Sequence, residues 1–251
     1  MKDLKDYLRF KFRQDGNWLK KLILLNILCF IGLLALKVSL VVTGYKAIYA
    51  ALHHTLALPS TWNTFLQRPW TLLTHSWVHP SFSTIFWNLL LLYAFGRVIM
   101  QHLGSLHLVA LYLLGGLVGG ACFLLLYNVA PHFKETSDTL VGLAGSLYAV
   151  MVAAVLLAPQ RPFQLLFGVI QLQYIVGVLV LLAFFNLVGE APAESAAHLG
   201  GALLGYVYVQ QQKGFIALRQ RWRQLTSRRS TLKVTYRKAS SASQPPHHTE
   251  E

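Results

Sequence analysis

The chain has 251 residues, of which 55% are hydrophobic and only 12% charged, and it carries a formal net charge of +13. That leaves too little polar surface to cover a water-soluble globule, so lipid is the expected solvent and a soluble domain is excluded. The charge does not point to nucleic acid, because it is gathered at the ends. Lys2, Lys5, Arg9, Lys11, Arg13, Lys20 and Lys21 precede the first apolar run, and Lys213, Arg219, Arg221, Arg223, Arg228, Arg229, Lys233, Arg237 and Lys238 follow the last.

In chain order, residues 1–21 form a basic, aromatic-rich cytoplasmic lead-in suited to anionic headgroups. Apolar runs follow near 22–43, 82–101, 107–127, 140–158, 175–189 and 195–210. Most approach the roughly 20 residues a helix needs to cross a bilayer core. The expected fold is an all-α membrane domain of six spans over 22–210, with a basic, partly disordered cytoplasmic tail at 211–251. The first run is too long, and lacks the small-residue cleavage pattern, for a cleaved signal peptide. Basic ends are cytoplasmic ends, and an even number of spans puts both on one side, as in a bacterial inner-membrane protein. Glu135, Asp138, Glu190 and Glu194 then lie in outward loops, and Arg97 and Arg161 beside inward turns.

The first outward loop, "HHTLALPSTWNTFLQRPWTLLTHSWVHP", carries Trp62, Trp70 and Trp77, whose amphipathic rings suit headgroup level. His75 and His79 lie near its end. No cysteine or carboxylate joins them or His53 and His54, so no metal site is expected. Cys29 and Cys122 fall inside apolar runs and read as small core residues. In the second run, Asn88 sits among apolar neighbours and needs a partner. Residues 163–175 alternate briefly and suggest an amphipathic ribbon before the fifth run.

The fourth run carries the most information. From Ala144 only about 15 apolar residues remain before the turn at Pro159, about 21 Å of helix and short of a full crossing. Its outer end therefore starts below the surface, and a non-helical entry at that depth is tolerated where it lines a wet cavity. Gly145, Ala149 and Ala153 form a small-residue stripe, and Ala197, Gly201 and Gly205 form another on the sixth run; such stripes predict close contact between the two. That contact carries His198 towards position 144. An intramembrane histidine is a functional candidate, and Tyr148, one turn from Ala144, is placed to pack on its ring.

The stretches "THSWVHPSFSTIFWNLLLLYAFG", "GLAGSLYA" and "AAHLGGALLG" resemble, in order and spacing, the three signature regions of the rhomboid family of intramembrane serine proteases. The resemblance implies a Ser-His dyad without the usual carboxylate, with no cofactor, acting on transmembrane helices of other proteins. It assigns His198 as general base, Tyr148 as its stacking partner, Ala144 as the nucleophile position, and Gly142, His75, His79 and Asn88 to the pocket and oxyanion side. Two departures stand out. Ala144 occupies the serine position, and Thr84 stands where the family commonly has a histidine on its second span. Ser146 is about 200° around the helix from Ala144 and faces away from the pocket.

Two functions fit these residues. The first is a pseudoprotease that binds transmembrane segments without cutting them; the second is an intramembrane protease whose nucleophile has been replaced. Thr84 favours the first, because a replaced nucleophile explains one departure and not two. A transporter finds little support, since no inverted repeat or intramembrane carboxylate is present.

Overall fold

A computed structural model of the chain describes residues 18–133, 138–165, 168–189 and 191–227. Among the described residues five apolar helices lead the architecture: α1 Trp18–Val42, followed after the first loop by the others, with a sixth, partly polar helix after them. The first loop folds into α2 Lys46–Leu56, β1 Leu58–Pro59, α3 Trp62–Gln67, α4 Thr71–Thr74 and a single 3-10 turn, His75–Trp77. Then come α5 Phe82–His102, α6 Ser105–Val129, β2 Thr139–Leu140, α7 Ala144–Leu157, β3 Pro162–Leu165, β4 Gly168–Gln171, α8 Leu172–Asn186 and α9 Pro192–Ser227. The described residues divide after Gln212 into two units.

Among the described residues, α1, α5 and α6 are long and apolar enough to cross a bilayer, and α7 and α8 are shorter apolar helices. The lead-in up to residue 17, Glu135, Glu190 and the tail beyond 227 lie outside the described residues. The fold is mostly helical, as expected, with two short ribbons added. β1 pairs antiparallel with β2, Leu58 opposite Leu140 and Pro59 opposite Thr139, and β3 pairs with β4 in the ribbon expected before the fifth apolar run. The first ribbon ties the loop after α1 to the entry of α7.

Helix α7 is the hub. Residues Ala144 to Met151, Ala153 and Ala154 are buried, so it is covered on every side, as expected of a helix apolar all round. Its neighbours include α5, α6 and α8. The predicted approach of α7 to α9 is present: a Cβ on Gly201 would collide with the backbone of Gly145, and one on Gly205 with the backbone of Ala149. A third helix shares the junction. A Cβ on Gly145 would lie 2.5 Å from the Gly115 carbonyl oxygen, and one on Gly119 would lie 2.8 Å from that of Ala197. The α6 glycines are thus as much a part of this seam as the stripes on α7 and α9.

The outer faces of the helices are apolar and exposed. Leu28, Ile31 and Val38 of α1 and Phe184 and Phe185 of α8 are more than half exposed, the burial pattern of a surface that meets lipid. Lys37 extends along α1 to place its ammonium over the Tyr49 ring of α2. Cys29 and Cys122 are free thiols. Of the three loop tryptophans, Trp62 and Trp70 are exposed, whereas the Trp77 indole nitrogen is buried, so Trp77 departs from the headgroup-level expectation.

Candidate functional site

The approach to α7 is held from the first loop. Gly142 has φ +95°, a conformation that L side chains rarely adopt, and its N–H donates to the His75 carbonyl at 2.8 Å. His75 is itself fixed, with Nδ1 donating to the Thr71 carbonyl at 3.0 Å. That bond makes Nε2 the acceptor, and it faces the Ser76 hydroxyl at 3.4 Å.

Ala144 is the first residue of α7 and is buried beside Ala193, Ala196 and Ala197 of α9. One turn on, Tyr148 stacks on His198 with ring centroids 3.9 Å apart and planes inclined by 23°. The Tyr148 hydroxyl donates to the Leu179 carbonyl of α8 at 3.1 Å, which clamps the ring from its far end. His198 is partly accessible, and neither of its ring nitrogens has a hydrogen-bond partner among the described residues. An imidazole held by stacking alone, with both nitrogens available, can accept a proton from a neighbouring hydroxyl. A methyl at position 144 supplies none.

His79, in the loop ahead of α5, belongs to a buried hydrogen-bond network with α1 and α6. Asn26 of α1 is completely buried, and its Nδ2 donates to the Leu22 carbonyl at 2.8 Å. A carbonyl only accepts, so the amide orientation is set and Oδ1 is the face turned towards His79. It lies 3.2 Å from His79 Nε2, and the Tyr112 hydroxyl joins the same amide. Nε2 therefore carries the proton of His79. In the neutral ring Nδ1 then carries a lone pair; it is buried, has no hydrogen-bond partner and lies 4.0 Å from where a Cβ on Gly142 would sit.

Of the other candidates, Thr84 has its hydroxyl engaged with Ser81 Oγ at 2.8 Å, while Ser81 Oγ accepts from the Thr84 N–H as the N-cap of α5. Its hydroxyl is thereby drawn to the helix start. Asn88 is half-buried and, contrary to the expectation that it needs a partner there, has none among the described residues. Ser146 is fully buried on the α6 side, where a Cβ on Gly116 would come within 2.9 Å of its Oγ and 2.8 Å of Ser76 Oγ, so it does not line the pocket of Ala144. His75 and His79 direct their bonded nitrogens to Thr71, Ser76 and Asn26, and no three metal-capable side chains converge among the described residues. Asn26 and Tyr112 were not singled out in the sequence. A lone asparagine in the apolar run "LILLNILCF" was the available signal for the first.

The family model of the Rhomboid domain matches residues 66–211, more than half of the chain. The chain belongs to the rhomboid family. A search of curated proteins finds no match. The matched stretch carries every residue of the candidate site from His75 to His198, while α1 with Asn26 lies outside it. With its apolar helices, the rhomboid assignment makes this an integral membrane protein.

His75 and His79 lie in the loop ahead of α5, and burial pushes both imidazoles down to about 4, opposed at His75 by its bond to Thr71. The folded chain refuses protons that the unfolded chain accepts from the ordinary histidine value of 6.5 downwards. Stability is therefore full above that value and falls as the pH drops towards 4, by up to about 1.4 kcal/mol per unit for each ring. Thermal unfolding in detergent across this window should show a falling midpoint. The slope should be shallower in His79→Gln.

Proposed function

We propose that this rhomboid-family membrane protein is a pseudoprotease: a six-span binder of transmembrane segments that does not hydrolyse them. The six spans are α1, α5, α6, α7, α8 and the first part of α9, with both termini cytoplasmic. The observation that carries the reading is the methyl of Ala144 in the turn beside a stacked His198 whose nitrogens are unengaged. The base position is kept and the nucleophile is not. The engaged hydroxyl of Thr84 adds to it, because the resemblance expects a donor at that position for the side where negative charge would develop.

In this reading, what remains are polar groups, the partly exposed His198 and Asn88, on helices that are otherwise apolar. A client helix containing glycine or proline exposes backbone groups that lipid cannot satisfy. The nitrogens of His198 and the amide of Asn88 offer partners for them. Binding then derives from hydrogen bonds that have no competitor in hydrocarbon and from contact along the apolar helix faces.

The intact His198–Tyr148 stack also fits a protease in which alanine has replaced the nucleophile. The two readings separate in proteoliposomes containing a single-span client with a helix-breaking segment. The pseudoprotease cross-links to the intact client and releases no fragment. Cleavage that disappears in His198→Ala would overturn the proposal.

A further inference from the structure

A second cleft lies away from the candidate site, between the far end of α5 and the β3–β4 ribbon, with a volume of 310 Å³. Arg97 and Arg161 line it, together with Leu90, Tyr93, Phe163 and Leu172. The Arg97 guanidinium lies 5.5 Å from the centre of the Tyr93 ring, and Arg161 donates to the side-chain oxygen of Gln101. Both partners are neutral. The only carboxylates among the described residues are Asp138 and Glu194. Asp138 accepts from the Tyr127 hydroxyl near the end of α6, about 30 Å along that helix from the turn that joins it to α5. Glu194 interacts with Asp138 at that same end. Two guanidiniums thus border one cleft with no carboxylate among the described residues to balance them.

The level of the cleft in the membrane follows from packing. A Cβ on Gly96 would lie 2.7 Å from the Leu19 side chain, so Arg97 belongs to the same end of the bundle as Lys20 and Lys21 at the start of α1. This is the end at which an apolar helix surface gives way to headgroups. Tyr93 and Leu90, one and two turns back from Arg97 on α5, are exposed large hydrophobic side chains. A ligand that satisfies both halves of the cleft carries an anion and a hydrocarbon chain together.

We propose that Arg97 and Arg161 form a seat for one anionic phospholipid, the guanidiniums binding the phosphodiester and the apolar wall receiving an acyl chain. Arginine is suited to this role, because its planar fork can donate two hydrogen bonds to one phosphate. The seat joins α5 to the ribbon that leads into α8, so an occupied site bridges two elements that are separated in sequence. It depends only on the chain being embedded in lipid, and not on whether the family's chemistry survives.

Native mass spectrometry of the full chain in mild detergent tests this, with phosphatidylglycerol titrated against phosphatidylcholine. Phosphatidylglycerol should be retained preferentially, and Arg97→Gln/Arg161→Gln should weaken that retention about thirtyfold, with Lys21→Gln, at the same end but outside the cleft, close to the unmodified chain. If the double variant fails to fold, each single substitution should weaken retention about fivefold. Equal retention of the two lipids overturns the proposal, as does a variant that binds like the unmodified chain. Complete displacement by inorganic phosphate would make the cleft a free-anion site and would overturn it too. The readout requires no client and no cleavage, so its failure leaves the pseudoprotease reading intact, and the reverse.

Discussion

Ala144→Ser should make the protein react with a fluorophosphonate probe, and His198→Ala in the same background should abolish the labelling. The substitution adds one oxygen at the first residue of α7, on the turn preceding the Tyr148 ring that stacks on His198. The imidazole has no competing partner among the described residues, so the new hydroxyl can donate to it, and general-base assistance of this kind contributes about a hundredfold or more. Labelling should nevertheless be slow. Thr84 stands in place of the histidine that the resemblance expects and its hydroxyl is drawn to Ser81, so the oxyanion has lost a donor. Ala144→Ser/Thr84→His should label about a hundredfold faster than Ala144→Ser, the scale of one oxyanion donor. Equal rates in the two variants would show that the oxyanion side is not what limits reactivity. Silence in both, with the proteins folded, would mean that the arrangement around His198 cannot support a nucleophile.

The second large effect is structural. Gly201→Val should destabilise the protein by about 3 kcal/mol or more, at or beyond the upper end of ordinary overpacking, because the atom in the way is the backbone of Gly145 and no rotamer change can relieve it. The seam involves three helices, since Gly145 also meets Gly115 and Gly119 of α6. Separating α9 from α7 therefore disturbs the whole junction and pulls His198 off Tyr148. Gly177→Val provides the control. That glycine is also helical, but has nothing within 4 Å of a Cβ, so the change should be neutral or mildly stabilising. Unfolding in mixed detergent micelles compares the two. Similar midpoints would mean that the helices do not approach as closely as the glycines imply.

Much of this was legible in one dimension. The positions of the apolar helices follow from hydropathy, which is a sum over neighbours and needs no knowledge of the fold. Contact of α7 with α9 followed from small residues at four-residue spacing, since in lipid close backbone approach is what such residues permit. The stacking of Tyr148 on His198 followed from that contact and from one helical turn. The family itself was readable from three short stretches, and the Rhomboid domain match covers them.

Other features were settled only when the chain folded. The β1–β2 pairing joins Leu58 to Leu140, and two-residue strands leave no periodic trace in a sequence. The α6 glycines read as another apolar helix until Gly145 was set against them. Thr84 stands where the resemblance expects a histidine, and only the fold shows that Ser81, three residues earlier, engages its hydroxyl. The character of His79 depends on Asn26, whose amide is oriented by the Leu22 carbonyl and which belongs to a different helix. The sequence determined which segments form apolar helices, because hydropathy is additive along the chain. Tertiary structure decided which nitrogen of His79 bears a proton and which hydroxyls remain free, because hydrogen bonds are exclusive and are assigned only among groups that folding brings together.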